Sequence, residues 1–437
     1  MKKGVNLLFV LGFLCFSVAS RAQEKLGLQE AVEIALKNNF DIRISANEAE
    51  VARTNVSRAN AGMLPTVDAT LNTNAAISNT RQTLSNGTQQ ERNGARNSSI
   101  NYGVGLNWTV FDGFGMFATY KSLQEQQRLG EAQYRLAVQT SVTDVISNYF
   151  EIVKLQQDVN ASETAVEISR LRVNNAQARY QIGRAAKLEV LQATVDLNTD
   201  TTTLLRNIDL YRNSKIRLNE LLARDLNTDF VVEDTILIEQ DLKLAALQSS
   251  AEQQNPSIQS AVISQRVAEL GLKQVKAGRY PVIGVTSSYN FNNSRSALGF
   301  AQSSNGRGLN YGLSASVNIF NGSLQRRREK IAEIGIDNAG LELSRLTRNI
   351  TSQITSQYQT YQTNLELVRL ENQNLNVAKQ NLDITMEKLK FGTLTPLEFR
   401  EAQQNYISAL TRLTNAQYQA KVAEIFLKEL AGTIRLQ

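Results

Sequence analysis

The chain is one unit written twice, and this constrains its fold more than any other feature. Asn39-Phe40-Asp41-Ile42 resembles Asn255-Pro256-Ser257-Ile258, and Pro65 matches Pro281, both at an offset of 216. Trp108-Thr109-Val110-Phe111-Asp112-Gly113 resembles Val317-Asn318-Ile319-Phe320-Asn321-Gly322 at an offset of 209. Gly183 and Gly392 keep the offset of 209, as do Glu220-Leu221 and Glu429-Leu430. Five matches in one order, with a single change of offset, mark a duplication whose first copy has a loop longer by seven residues. A fixed internal period signals a repeated supersecondary unit.

Both copies follow one plan. Each opens with an amphipathic segment, such as Leu28, Ala31, Val32, Ala35 and Leu36 at helical spacing. A proline then precedes alternating residues. Ile283, Val285, Ser287, Tyr289 and Phe291 share one face, against Gly284, Thr286, Ser288 and Asn290. The alternation returns over Tyr311, Leu313, Ala315, Val317 and Ile319, and in the first copy over Tyr102, Val104, Leu106, Trp108 and Val110. Such strands are expected at about 66–78, 101–111, 282–293 and 310–320, and Asp68 is their main charge. Long, nearly uncharged strands with one apolar face fit a membrane β-strand of about 9–11 tilted residues. A half-buried soluble hairpin is the plainer alternative. Tyr102, Phe111, Tyr311 and Phe320 near the strand ends suit membrane interfaces.

A very long helical stretch follows each hairpin. Residues 114–180 contain no proline, and as one helix they would span about 100 Å. Val142, Val145, Tyr149, Ile152, Val159 and Val166 keep a heptad rhythm, and Ile350, Ile354, Tyr361, Leu375, Leu382 and Leu389 keep a similar one. A narrow apolar stripe of this kind is a coiled-coil seam. Gly183 and Gly392 then break the helices, as expected of a left-handed C′ position, and Thr395 with Pro396 starts the next helix. The expected divisions are a signal peptide (1–22), a first repeat (23–223, tip near 180–187), a linker (224–242), a second repeat (243–432, tip near 389–396) and a tail (433–437).

Four membrane strands cannot close a barrel, and an open sheet edge cannot face lipid. The strand assignment therefore demands an assembly. A dimer would supply about eight strands and a trimer about twelve; eight fill their own interior, so a conduit favours twelve or more. Strand count alone does not choose three.

Composition removes the rival chemistries. The chain has 437 residues, no histidine and one cysteine, Cys15. Imidazole metal sites, histidine-based triads, disulfides and cysteine zinc sites are all excluded within one chain. Lys2 and Lys3 precede an apolar run from Val5 to Val18, followed by Ser20 and Ala22, which is a secretory signal layout. Cys15 is read as part of that apolar core. Without Lys2, Lys3 and Arg21, the 47 basic residues fall to 44 against 41 acidic ones, so a formal +6 becomes +3. No nucleic-acid partner, metal or cofactor is expected.

The paired segments RYQIGRAAKLEVLQATVDL (179–197) and KLKFGTLTPLEFREAQQNY (388–406) are similar to the TolC family of outer membrane efflux proteins. So are the paired NELLA and KELAG ends and the LQEAVEIALKNN opening, and the resemblance covers essentially the whole mature chain. It implies a mainly α fold with a membrane β-barrel part. A homotrimer would share a twelve-stranded barrel in the outer membrane and continue as a hollow α-barrel across the periplasm. It further implies passive conduction rather than catalysis, with a periplasmic membrane fusion protein and an inner-membrane transporter as partners. Tyr180, Gly183, Leu389 and Gly392 fall at the tips that close the channel and dock the fusion protein. Leu389 stands where many members have tyrosine. Glu398 and Glu401 match acidic residues facing the pore, and Glu189 is the first-copy equivalent of Glu398. An ordinary solvated helix face is the alternative for these carboxylates. A non-conducting coiled-coil envelope protein with a β anchor is the alternative for the whole chain.

Overall fold

The computed structural model describes residues 24–297, 301–391 and 393–434. The expected signal peptide over 1–22, the tip residue Gly392 and residues 435–437 of the tail lie outside them. The first repeat comprises β1 (Glu24–Leu26), α1 (Leu28–Asn38), α2 (Phe40–Thr54), β2 (Thr66–Thr83), β3 (Gln89–Phe111), α3 (Gly115–Gln181) and α4 (Lys187–Leu221). After β4 (Phe230–Val232), the second comprises α5 (Leu244–Gln254), α6 (Pro256–Ala277), β5 (Val282–Arg295), β6 (Ser303–Ser316), α7 (Leu324–Lys390) and α8 (Pro396–Ala431). The chain is mainly α, at 65% helix.

The duplication persists down to single hydrogen bonds. Asn39 caps α2 by accepting from the N–H groups of Asp41 and Ile42, while its Nδ2 donates to the Leu221 carbonyl at 2.8 Å. Asn255 caps α6 through Ser257 and Ile258 and donates to the Leu430 carbonyl at 2.8 Å. Each asparagine thus ties a helix start to the end of its repeat's last helix. The Tyr149 hydroxyl donates to the Leu26 carbonyl and the Tyr358 hydroxyl to the Leu242 carbonyl, again equivalent positions. The apolar cores match too. Val145, Ile152 and Leu218 are fully buried in the first, and Ile354, Tyr361 and Leu427 occupy the equivalent places in the second.

Both repeats turn from strand into long helix through two successive left-handed residues. These are Gly113 (φ 75°) with Phe114 (φ 70°), and Gly322 (φ 66°) with Ser323 (φ 62°). A Cβ on Gly113 would lie 2.4 Å from the Ala277 carbonyl oxygen, so close backbone approach as well as φ selects glycine there.

The four long strands form one antiparallel sheet in the order β2-β3-β5-β6, with β2 and β6 as open edges. Register places apolar residues in rows on one face. From the helix end outward these include Trp108/Val285/Leu313, Ala69/Val104/Tyr289/Leu309 and Leu71/Tyr102/Phe291. The other face carries Thr70, Asn72, Asn101, Ser288 and Asn290. Aromatics gather at both ends of the apolar band. Tyr102 stacks on Phe291 at 4.9 Å on the loop side, and Phe111, Phe114 and Tyr280 meet edge to face on the helix side. Two aromatic girdles around an apolar band mark a membrane barrel wall. Among the described residues no helix is long and apolar enough to cross a membrane.

Three strand limits differ from expectation. β3 begins at Gln89 rather than near 101, and β2 runs on to Thr83, because the two keep pairing through a polar hairpin. Ladder hydrogen bonds do not require apolar side chains. β6 covers Ser303–Ser316 rather than 310–320. Its last partner is Val282, and Val317 to Phe320 find no strand opposite them because Pro281 precedes β5. The segment over 224–242 contains a strand, β4, which pairs in parallel with β1 through Leu26 opposite Val232.

Asn255→Ala is expected to destabilise the chain by about 2 kcal/mol, from the lost cap and the orphaned Leu430 carbonyl. Asn255→Ser, which can keep the cap, should lose about half of that. Urea midpoints followed by circular dichroism check both values.

Candidate functional site

The two helical hairpins end side by side, and the expected site residues lie on or beside these tips. The first closes through Gly183 at φ 74°, whose N–H donates to the Tyr180 carbonyl at 3.0 Å while the Arg184 N–H donates to Arg179 at 2.8 Å. That pair of bonds is a Schellman C-cap. The Thr393 N–H donates to the Lys388 carbonyl at 3.1 Å, repeating the outer bond at the second tip. The Tyr180 side chain is exposed. Leu389 packs with Met386, Leu394 and Tyr406 around buried Ile168, Leu382 and Phe399, so it serves as a packing residue. A groove of about 290 Å³ between the tips is lined by Arg179, Ile182, Glu189, Leu389 and Pro396.

The three carboxylates have different surroundings. Glu189 is mostly covered and pairs with Arg179 at 3.0 Å across its own hairpin. Glu398 is exposed at the start of α8. Its Oε2 accepts from the Thr395 N–H at 3.0 Å and from the Thr395 hydroxyl at 2.8 Å, and its own N–H donates to that hydroxyl oxygen at 3.3 Å. This is a capping box, which satisfies donors that a helix start leaves free. Hydrogen bonds from the Thr395 backbone and hydroxyl hold the Glu398 carboxyl below the usual carboxylate range. Glu401 is exposed on the next turn, while Phe399, Arg400, Ala402 and Gln403 turn inward. The structure therefore brings Glu398 and Glu401 to one exposed face and keeps Glu189 in a separate ion pair.

Sequence reasoning missed the polar cluster behind that face. Arg400 donates in bidentate fashion to Asp200, at 2.6 and 2.9 Å, and its Nε lies 3.7 Å from Asp196. Arg172 pairs with Asp196 at 2.6 Å. Gln403 donates to the Ala165 carbonyl and the Ser169 hydroxyl, both at 3.1 Å. Burial disfavours the charge on Arg400, but the hydrogen bonds and charge of Asp200, with Asp196, outweigh it and raise its pKa above the ordinary arginine value. The cluster fastens α3 and α4 of the first repeat to α8 of the second. Its available signal was spacing: Asp158, Ser162, Ala165, Ser169, Arg172 and Ala176 are all buried and follow a 4-3 rhythm. These residues are small or polar, so the rhythm does not show in a hydrophobic pattern.

Arg400→Met should lower the local opening free energy of the α4–α8 contact by about 2 kcal/mol, because the partly buried Asp200 loses its bidentate partner and keeps only the Ser169 hydroxyl. Hydrogen exchange of the amides around Asp200 and Gln403 reads this. Arg400→Met/Asp200→Leu should regain most of the protection.

The comparisons with known proteins agree with this geometry. The family model described as "Outer membrane efflux protein" matches residues 31–224 and 247–433, one segment per repeat. The chain is 23% identical over 454 residues to the outer membrane protein TolC of Escherichia coli, covering all of this chain and 88% of that protein. It is 20% identical over 464 residues to the proteases secretion protein PrtF of Dickeya chrysanthemi, covering all of this chain and 93% of that one. The crystal structure of the Campylobacter jejuni CmeC outer membrane channel superposes with a TM-score of 0.79 at 18% identity, covering 93% of this chain and 85% of that chain. The chain belongs to the outer membrane efflux protein family.

Proposed function

We propose that three copies of this chain form one outer membrane channel that gives passive exit to cargo delivered from the inner membrane. The protein is an outer membrane protein of a family of efflux and secretion channels, and it is not an enzyme. The observation that carries the trimeric reading is the sheet. Its four strands end in two open edges, β2 and β6, beside an apolar band bounded by aromatics. Unpaired backbone cannot face hydrocarbon, so β6 of one copy pairs with β2 of the next until the barrel closes. Three copies give about twelve strands and a wet lumen, whereas about eight would fill themselves. The face that becomes the lumen is lined by asparagine, serine, threonine and glycine, with Asp68 as a single carboxylate among them.

Below the barrel, α3, α4, α7 and α8 of each copy line a periplasmic tunnel. Glu398 and Glu401 would form two rings of three carboxylates at its inner end. Their support is the exposed face of α8, opposite the buried Arg400 and Gln403. Rings of like charge attract cations and repel anions. Glu189 would contribute only through its pair with Arg179. The exposed tip positions Tyr180 and Gly183, with Leu389 and Gly392, would receive a periplasmic membrane fusion protein linked to an inner-membrane transporter. Membership of the outer membrane efflux protein family and similarity to the proteases secretion protein PrtF support efflux and protein secretion equally, since the transporter selects the cargo.

Purified protein in planar bilayers should show discrete cation-preferring conductance from a species with the mass of a trimer. Absence of any conductance would favour the alternative of a non-conducting coiled-coil envelope protein. Glu398→Ala/Glu401→Ala should reduce the cation preference, and an unchanged reversal potential in a salt gradient would sink the constriction. The pH dependence has a definite sign. Glu398 has a lowered pKa in the folded chain, so its charge and its capping contribution are fully present above the unfolded pKa. They are lost only as pH falls through the lowered folded value. The share of the preference that Glu398 carries should therefore persist as pH falls through the ordinary carboxylate range and be lost below it.

A further inference from the structure

The four long strands carry two carboxylates, Asp68 and Glu91, and Glu91 is taken up by Arg81. Asp68 lies near the helix end, whereas every arginine on these strands (Arg81, Arg92, Arg96, Arg295 and Arg307) lies toward the loop end. Register then separates the arginines further. Arg307 is opposite Phe291, Arg295 is opposite Ser98, and Arg96 is opposite Ile77. Opposed residues share a face, so these three stand on the apolar face and not on the asparagine-lined one.

Their depth is informative. From Ile283 to Phe291 the apolar band runs eight residues, about 27 Å along the strand and about 20 Å once the strand tilt is allowed for. Arg307 sits in the last aromatic row, beside the stacked Tyr102 and Phe291. Arg295 lies four residues farther out, about 10 Å above that row after tilt. Arg96 is its diagonal neighbour at about 7–8 Å. Asn293 and Asn305 fill the row between. A shallow groove of about 460 Å³ runs over this surface, lined by Ile100, Tyr102, Phe291, Asn293, Asn305 and Arg307. All three arginines are exposed, and none makes an ion pair or hydrogen bond with a described residue. By contrast, Arg81 is held by Glu91 at 2.8 Å and Arg92 donates to the Ala297 carbonyl at 2.8 Å.

An unpaired arginine on a lipid-facing surface is costly at mid-bilayer and nearly free at the headgroup level. Arg307 stands at the aromatic row and Arg295 with Arg96 about 10–15 Å above it, with no carboxylate among them, so the outer pair complements an anionic headgroup. We infer that Arg295 and its diagonal neighbour Arg96 form a binding site for the phosphate of an outer-leaflet glycolipid, with Asn293, Asn305 and Arg307 bonding its sugar hydroxyls below and the Tyr102–Phe291 pair contacting its first acyl carbons. Arginine suits phosphate because its fork donates to two oxygens at once. The inference rests on the barrel reading above, which makes this face the lipid-facing one and the loop end the outer one.

The test uses the full-length protein in detergent and reads retained lipid by native mass spectrometry. The probes are monophosphorylated lipid A and the same glycolipid without phosphate. Wild type should retain the phosphorylated form preferentially. Arg96→Gln and Arg295→Gln should each weaken retention of the phosphorylated form about fivefold, and R96Q/R295Q should abolish the preference. Arg81→Gln, at an already paired arginine, should leave it unchanged. Equal retention of both glycolipids by wild type overturns the site, as does a preference that survives the double substitution. Displacement of the lipid by millimolar inorganic phosphate also overturns it, because the site would then hold the free ion. Trimer mass and conductance are recorded on the same samples. A wild type without a conducting trimer refutes the barrel reading itself. A conducting trimer without phosphate preference refutes this site alone.

Discussion

A helix of 67 residues with one narrow apolar stripe cannot cover itself, and the architecture follows from that constraint. α3 and α7 each need a long neighbour, and α4 and α8 supply it. Apolar burial concentrates at one level, around Tyr149 in the first repeat and Tyr361 in the second. There the short α1 and α5 and the β1–β4 pair widen the helical layer into a true core. Away from that level the helices stay thin, and side-chain chemistry along the seams holds them.

Toward the tips, that chemistry becomes polar. Arg172, Asp196, Asp200 and Arg400 form a charged cluster linking three helices. Burying charges is expensive, and apolar residues of equal volume would often stabilise as well or better. What the cluster does supply is register. Only one alignment of α8 against α4 places Arg400 opposite Asp200, and any slip leaves a buried charge without a partner. The same reasoning applies at the repeat ends, where Asn39 and Asn255 each cap one helix and hold the end of another.

Much of this was legible in the residues. The repeat offset, the heptad stripe through Val145 and Tyr149, the strand alternation and the Thr395-Pro396 helix start all express local periodicity or capping, and the structure contains each. The misses share one cause. The polar half of β3, from Gln89 to Ser99, carries no alternation because β2 and not a core is its partner. Val317 to Phe320 alternate well but have no strand opposite them within the chain, because β5 begins at Val282. β1 and β4, about 200 residues apart, are three residues each and carry no pattern of their own.

The sequence by itself determined the elements: a duplicated set of long helices and long one-sided strands, with no histidine and a single cysteine. These depend on spacing within a few turns, which a linear chain displays. Only the tertiary structure decided that Arg400 is buried against a partly covered Asp200, since the two lie 200 residues apart and each looks like a solvated charge alone. It also decided that three arginines share the apolar face of the sheet. Partnership across space sets the cost of a charge, and pairing register sets the face of a strand residue. Neither is a property of any one segment.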